Sequence, residues 1–367
     1  MKILMINSVC GVRSTGRICT DLAEELEGQG NEVKIAYGRD SVPETYRKYA
    51  VKIGDDLSFK LHVLYSRIFD AHGLASKTAT KRFLKWADEY NPDLLWLHNL
   101  HGYYINYELL FKWIKSRPDM QVKWTMHDCW AFTGHCSYFT MAGCENWKTH
   151  CKNCPQPKKY PARLLFDNSS NNYDKKKDAF CGVNNLTIVT PSNWLADIIK
   201  QSFLREYKVE VCNNKIDTEI FKPTESNFRQ KYNLENKHII LGVAYPWDER
   251  KGLDDFIRLS EMISDDYRIV LVGVNKTQAE QLPKSIIGIE KTDSAKELAE
   301  IYTAANVFVN PTYEDNYPTT NLEAAACGTP VITYNVGGSP ESADEENVFE
   351  CGDIQGVWGR IQEIINE

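Results

Sequence analysis

No apolar run in this chain approaches the roughly 20 residues needed to cross a bilayer. The opening stretch, Met1-Lys-Ile-Leu-Met-Ile6, is too short for a signal peptide and lacks a small-residue cleavage site. It reads as a first strand feeding a loop, and a cytoplasmic location is the expectation. The eleven cysteines are then expected to be mostly reduced thiols and not a disulfide framework. Positive charge is not in excess: the formal net charge of −7 argues weakly against a nucleic-acid partner. A full dinucleotide fingerprint is also missing. Gly11-Val-Arg-Ser-Thr-Gly-Arg17 sits between the first strand and its helix without the required glycine spacing. Its backbone N–H groups suit a phosphate at a helix start, and a plain strand–helix turn is the alternative.

What is present is the composition of a soluble globular protein, long enough at 367 residues for roughly two domains. Charge divides unevenly. Residues 1–185 carry 26 Lys+Arg against 20 Asp+Glu, and residues 186–367 carry 17 against 30. Clusters at Lys77–Lys85, Lys158–Arg163 and Lys175–Lys177 suit an anionic membrane or a pyrophosphate-linked molecule, with solvated helix faces as the alternative. Strand-like runs alternate with amphipathic stretches, the pattern of parallel α/β sheets. In the first half the strands read as residues 2–7, 32–36, 94–98, 122–127 and 186–190, with helices at 18–29, 76–90 and 107–116. The second half restarts with strands at 209–212, 239–245, 268–272, 307–310 and 330–334, and helices at 253–263 and 294–304. The expected division is a first domain at 1–190 with a Cys-rich insert at about 129–160, a passage at 191–222, and a second domain at 223–367.

The densest chemistry lies in Thr312-Tyr-Glu-Asp-Asn-Tyr-Pro-Thr-Thr-Asn-Leu-Glu-Ala-Ala-Ala-Cys-Gly-Thr-Pro-Val331. A buried strand precedes it, and Thr319 to Ala326 reads as a short helix closed by Gly328 and stopped by Pro330. Glu323 shares a helix face with Thr319 and Thr320, turned back toward the loop of Asp315. The helix start adds free N–H groups and a positive dipole end. Carboxylates for sugar hydroxyls thus sit beside an anion site, which suits a nucleotide sugar. An exposed acidic turn capping an ordinary helix is the alternative.

The segment resembles the acidic signature of retaining glycosyltransferases of family 4, with Asp315 and Glu323 in the places of two glutamates. Asp315 is a departure, shorter by one methylene. Other stretches extend the resemblance over nearly the whole chain, toward bacterial exopolysaccharide and colanic-acid-type transferases. They include His72-Gly-Leu-Ala-Ser-Lys-Thr-Ala-Thr80, His98-Asn-Leu-His-Gly-Tyr-Tyr-Ile-Asn106, Thr125-Met-His-Asp-Cys-Trp-Ala-Phe-Thr-Gly-His-Cys136 and Asn214-Lys-Ile-Asp217. The resemblance implies a GT-B fold, two Rossmann-like doubly wound α/β domains with a cleft between them. It implies a donor that is a UDP- or GDP-linked sugar, and a glycan or undecaprenyl-pyrophosphate-linked acceptor in surface polysaccharide assembly. Peripheral association with the inner face of the cytoplasmic membrane, through the basic first domain, would accompany such an acceptor.

Residue by residue, the resemblance places Glu323 on the ribose and Asp315 on the donor sugar, with Asn316, Tyr317, Thr319 and Thr320 around the nucleotide sugar. Lys251 would neutralise the leaving diphosphate. The family's earlier arginine is missing at Ala244 or Tyr245, and Arg250 would compensate. Gly16 and Arg17 fall beside the diphosphate, His127 near the donor sugar, and His98 and His101 on the acceptor side. Gly337-Gly-Ser-Pro-Glu341 is expected to support the acidic helix. Taken alone, a histidine such as His127 at a strand end is more often structural. No catalytic metal is expected. Cys136, Cys144, Cys151 and Cys154 form a separate group whose spacing suits a structural zinc, with reduced or redox-labile thiols as the alternative. No side chain stands out as a nucleophile, so front-face attack assisted by the leaving phosphate is the mechanism implied. A sugar-nucleotide epimerase and a non-catalytic carbohydrate-binding protein are the rival readings.

Overall fold

The structure is a computed structural model describing residues 1–366. The chain forms two compact units, Met1–Asn213 and Asn214–Glu367. The first is built on seven strands: β1 (Lys2–Ile6), β2 (Glu32–Tyr37), β3 (Ala50–Lys52), β4 (Leu94–Leu97), β5 (Gln121–Thr125), β6 (Leu186–Thr190) and β7 (Lys208–Val211). They pair in the order β3-β2-β1-β4-β5-β6-β7, every pair parallel. Helices α1 (Arg13–Gly28), α2 (Asp56–Phe69), α3 (Lys77–Tyr90), α4 (Tyr107–Lys115), α5 (Ser169–Phe180) and α6 (Asn193–Lys200) make the crossovers. Parallel strands are covered on both faces, which is why Ile3–Ile6 are all buried and show no alternation. α1 packs through Gly16, Cys19, Thr20 and Ala23, a stripe of small residues at helical spacing. α4 buries Tyr107, Leu110, Phe111 and Ile114 in the same way, and the Asn106 side chain accepts from Leu109 N–H to cap its start.

The second unit repeats the plan with β8 (His238–Val243), β9 (Tyr267–Val272), β10 (Ile286–Ile289), β11 (Val307–Asn310), β12 (Val331–Tyr334) and β13 (Val348–Phe349). Their order is β10-β9-β8-β11-β12-β13, again parallel. Its helices are α7 (Phe228–Lys231), α8 (Leu253–Ser260), α9 (Lys276–Gln281), α10 (Ala295–Ala304), α11 (Thr319–Ala326) and α12 (Ile354–Asn366). Two doubly wound α/β units agree with the expected class. Among the described residues no helix is long and apolar enough to cross a membrane.

Several elements, among them β13, α5 and α9, were not expected, and three differences show why. The run near Val209, assigned above to the second half, is β7 and pairs with β6, so it closes the first sheet. A local pattern cannot say which sheet an isolated strand joins. β3 and β10 were missed because each is short, and β10 is broken by Gly288. α2 was missed because its pattern is inverted: its buried residues are His62 and Ser66, while Leu57, Leu61 and Leu64 face solvent.

Candidate functional site

In the second unit the chain winds from β8 one way to β9 and β10, and the other way from β11 to β12 and β13. The loops leaving β8 and β11 therefore part at a crevice beyond the strand ends, the place where such sheets take ligands. The β8 loop ends in Arg250 and Lys251, and the β11 loop carries Asp315. Lys251 Nζ lies 2.5 Å from Asp315 Oδ2, and Asp315 Oδ1 accepts from Asn316 N–H at 2.9 Å. Burial pushes the Asp315 carboxyl up, but the charges of Lys251 and Arg250 outweigh it and hold the group below the ordinary aspartate value. Thus Lys251 and Asp315, expected to meet different parts of a donor, meet each other.

The two loops are sewn together by backbone. Tyr313 N–H donates to Arg250 O at 2.7 Å, and Arg250 Nη1 donates to Glu314 O at 2.8 Å. Two glycines make this approach possible. A Cβ on Gly252, which has φ +71°, would fall 2.2 Å from Pro311 O. One on Gly337, with φ +60°, would fall 2.0 Å from Asp315 O. The Gly337 turn expected to lie behind the acidic helix is therefore packed on the peptide of Asp315, while Glu341 stays exposed.

α11 starts at Thr319, as expected, behind Pro318, an N-cap residue that makes no side-chain cap hydrogen bond. Thr319 and Thr320 are half-buried in its first turn, and Asn316 is buried just before it. The Tyr317 carbonyl accepts from Asn214 Nδ2 at 2.9 Å. Glu323 does not stand open on the helix face: it is buried, and its Oε2 accepts from the Tyr302 hydroxyl at 3.1 Å. Asn321, unremarked in the sequence, takes Asn310 Nδ2 at 2.8 Å and donates to Ser342 at 2.9 Å, which fixes the roll of the helix against β11.

In the first unit the reversal falls between β1 and β4. α1 begins at Arg13, so Gly16 and Arg17 lie inside its first turns and not in the preceding loop. The glycine that loop requires is Gly11, at φ +70°, where a Cβ would strike the Tyr46 ring. Gly16 instead lets α1 approach Val9, and Arg17 is exposed. At the ends of β4 and β5, His98 Nδ1 and His127 Nε2 are 3.1 Å apart with their rings stacked. One nitrogen must donate and the other accept, so the pair excludes two imidazolium rings. Burial lowers His127 to about 4 and His98 well below its ordinary value.

His101 is separate from that pair. Its Nε2 lies 2.8 Å from Asp128 Oδ2 and its Nδ1 3.0 Å from the Tyr160 hydroxyl. Burial pushes the Asp128 carboxyl up, and His101 together with the Trp130 N–H brings it below the ordinary value. Asp128 and Tyr160 were not among the expected site residues. The adjacency His127-Asp128 was the available signal for the first; Tyr160, from the far end of the insert, had none.

The chain is similar to known proteins over both units. The model for Glycosyltransferase Family 4 matches residues 15–220, and that for Glycosyl transferases group 1 matches residues 236–367. The chain belongs to glycosyltransferase family 4. It is 25% identical over 355 residues to WcaC of Escherichia coli, named for colanic acid biosynthesis glycosyl transfer, covering 93% of this chain and 85% of that one. Its fold is that of sucrose-phosphate synthase from Thermosynechococcus elongatus, with a TM-score of 0.70 at 16% identity, over 100% of this chain and 90% of that one. HepE of Anabaena, solved with UDP and glucose, gives 0.67 at 12% identity with the same coverage. The fold is GT-B.

Two features of this family 4 chain add to the sequence reading. The Cys-rich insert is packed into its unit: Trp130, Phe132, Phe139, Trp147 and Cys151 belong to the main core of the first unit. Lys176, counted in a basic cluster, is fully buried; its Nζ donates to Trp130 O and Thr133 O and lies 3.7 Å from the centre of the Trp130 ring. Desolvation lowers its pKa to about 7. Cys136, Cys144, Cys151 and Cys154 line one cavity of about 10 Å3. A hydrogen bond links Cys136 to Cys154 and lowers the latter to about 6, while burial raises Cys151 to about 11. Among the described residues no three His, Cys, Asp or Glu side chains converge on a point that would hold a metal. The four thiols line one cavity without closing on a common point.

Proposed function

We propose that this protein is a retaining glycosyltransferase that moves a sugar from a UDP- or GDP-linked donor to a glycan or lipid-linked glycan in bacterial surface polysaccharide synthesis. The observation that carries the reading is the Lys251–Asp315 contact at the β8/β11 crevice, directly before the start of α11. An ammonium, a carboxylate and the positive end of a helix at one crevice suit a ligand with both phosphates and hydroxyls. Lys251, Arg250, Asn316, Tyr317, Thr319 and Thr320 are assigned to the donor, Lys251 and the helix start stabilising charge on the departing diphosphate. The diphosphate draws Lys251 away from Asp315 and frees that carboxylate for the donor sugar. Glu323, already holding one hydroxyl from Tyr302, has the acceptor capacity to hold ribose.

In the first unit Gly16 and Arg17 are assigned to the diphosphate, His127 to the donor sugar, and His98 and His101 to the acceptor side. A neutral His127 offers a hydrogen bond without adding charge. No catalytic metal enters this scheme. The four cysteines are assigned to a structural zinc, whose binding would draw the gathered thiols together. The named activity of WcaC and the UDP and glucose held by HepE support the polysaccharide and donor assignments respectively.

The test is incubation with UDP- and GDP-sugars, first alone and then with an undecaprenyl-pyrophosphate-linked glycan. Transfer only in the presence of acceptor, with the anomeric configuration kept, supports the reading. A donor altered without acceptor makes the protein an epimerase, and donor binding without either change makes it a binding protein.

A further inference from the structure

α2 carries its large apolar side chains on the wrong side for a core helix. Leu57, Leu61, Leu64 and Tyr65 fall at i, i+4, i+7 and i+8, one face of the helix, and are 66%, 57%, 55% and 43% exposed. The opposite face turns inward with His62, which is held by Gly73 N–H at 3.2 Å and by Ser76 at 2.8 Å. The exposed face is therefore not a frayed or misplaced element: it is pinned from behind and capped by the Asp55–Ser58 box.

A second segment widens the patch. Leu164, Leu165 and Phe166 are 68%, 67% and 56% exposed. They run beside the end of α2, with Leu164 N–H donating to Arg67 O at 2.7 Å and Phe166 N–H to Ile68 O at 3.3 Å. The Phe166 ring stacks on Phe69, which in turn meets Tyr65. Two shallow grooves flank these rings, one of about 560 Å3 between α2 and the start of α3, the other of about 510 Å3 beside Phe166. Eight large apolar side chains held out in one contiguous area exceed the scattered exposure normal for a surface.

Charge around the patch identifies what covers it. Lys60 and Arg67 lie along one flank of α2, and Lys77 stands at the mouth of both grooves. Between Asp56 and Lys85 six cations face two acids. Asp56 is paired with Lys52 at 2.9 Å, and the other acid, Asp70, is buried against His135. Asp167 beside the Leu164–Phe166 segment is likewise taken by Arg163 at 3.0 Å, leaving Glu108 as the acid on the second groove. Apolar tips with a cationic flank are what a bilayer rich in anionic headgroups complements: acyl chains take the leucines and aromatic rings, and headgroups take the lysines.

We propose that the face made by α2 and Leu164–Phe166 docks this protein on an anionic membrane. The surface rests on the proposed function only for its purpose, bringing the enzyme to a lipid-linked acceptor, and vesicle binding needs neither donor nor acceptor. The full chain is sedimented with phosphatidylglycerol-containing vesicles and with pure phosphatidylcholine vesicles. Binding is expected on the former, weak on the latter and weakened by salt. Leu61→Glu with Leu165→Glu lowers the anionic-vesicle partition at least about tenfold, since each leucine tip removed from lipid forfeits its transfer free energy. Because both sites are exposed, Tm and nucleotide-sugar affinity should not move. The proposal is overturned if the wild-type chain stays in solution with anionic vesicles, or if the double variant binds them as well. It is also overturned if the wild type self-associates through this face without binding lipid, which would make the occupant a second copy.

Discussion

At the end of β4 the first unit carries His98 stacked on His127; at the equivalent end of β11 the second leads into the loop that sets Asp315 against Lys251. Both places are the reversal point of a doubly wound parallel sheet, so topology makes the same crevice twice. The side chains then make opposite environments. The first buries imidazoles that burial holds neutral, and seven of the eight histidines of the chain lie in that unit. The second half-buries opposite charges and keeps its carboxylate ionised through Lys251 and Arg250. A repeated fold supplies a location, and what is done there depends on which residues terminate the strands.

The sharpest way to break the comparison is to remove its charged member. Lys251→Ala is expected to lower turnover by about 10²–10³-fold, the usual loss when one stabilising contact to a developing charge is deleted. His98→Ala should leave donor affinity nearly unchanged and act on acceptor KM. Steady-state kinetics with each substrate varied checks both, and near-normal turnover by Lys251→Ala would remove that residue from the mechanism.

Gly337→Ala comes next. It forces a side chain into the left-handed region against Asp315 O, at a cost of about 1–3 kcal/mol. Donor affinity should fall with stability, as thermal melts with and without donor will show. An equal substitution at Gly143, also at positive φ but with nothing near its Cβ position, should cost stability without touching the donor.

Acid should separate the units more gently. An unfolded histidine titrates near about 6.5, whereas in the fold His127 lies at about 4 and His62 at about 3. Between those values the unfolded chain binds protons that the folded first unit refuses, so its stability declines as pH falls from 6.5 and levels off below the folded values. Asp315 works in the other window. Its contribution is intact above the ordinary aspartate value and is lost only as pH falls through its depressed one. Hydrogen exchange at pH 5 should therefore quicken in β4 and β5 before β11 and α11. Simultaneous opening of the two would contradict the assignment of neutral buried histidines. Metal content gives the smallest effect: about one zinc per chain, lost in Cys154→Ser with activity largely kept. Folded, zinc-free wild-type protein would leave the cluster as thiols.

The sequence alone determined the fold class and the start of α11 at Thr319, because these depend on residues near one another in the chain; Lys251, Asp315 and Glu323 were singled out by the resemblance of short motifs to a family. Strand–helix alternation and short acidic spacings are local signals, legible without coordinates. Residues far apart needed the tertiary structure to be read together. That Lys251 pairs with Asp315, that Glu323 turns inward to Tyr302, that β7 joins the first sheet, and that Tyr160 reaches His101 all depend on chain crossings no local pattern encodes. Burial also reversed two readings: Lys176 left the surface, and the leucines of α2 came onto it. A residue's chemistry is fixed by its side chain, but its partner and its exposure are fixed by the packing of distant segments.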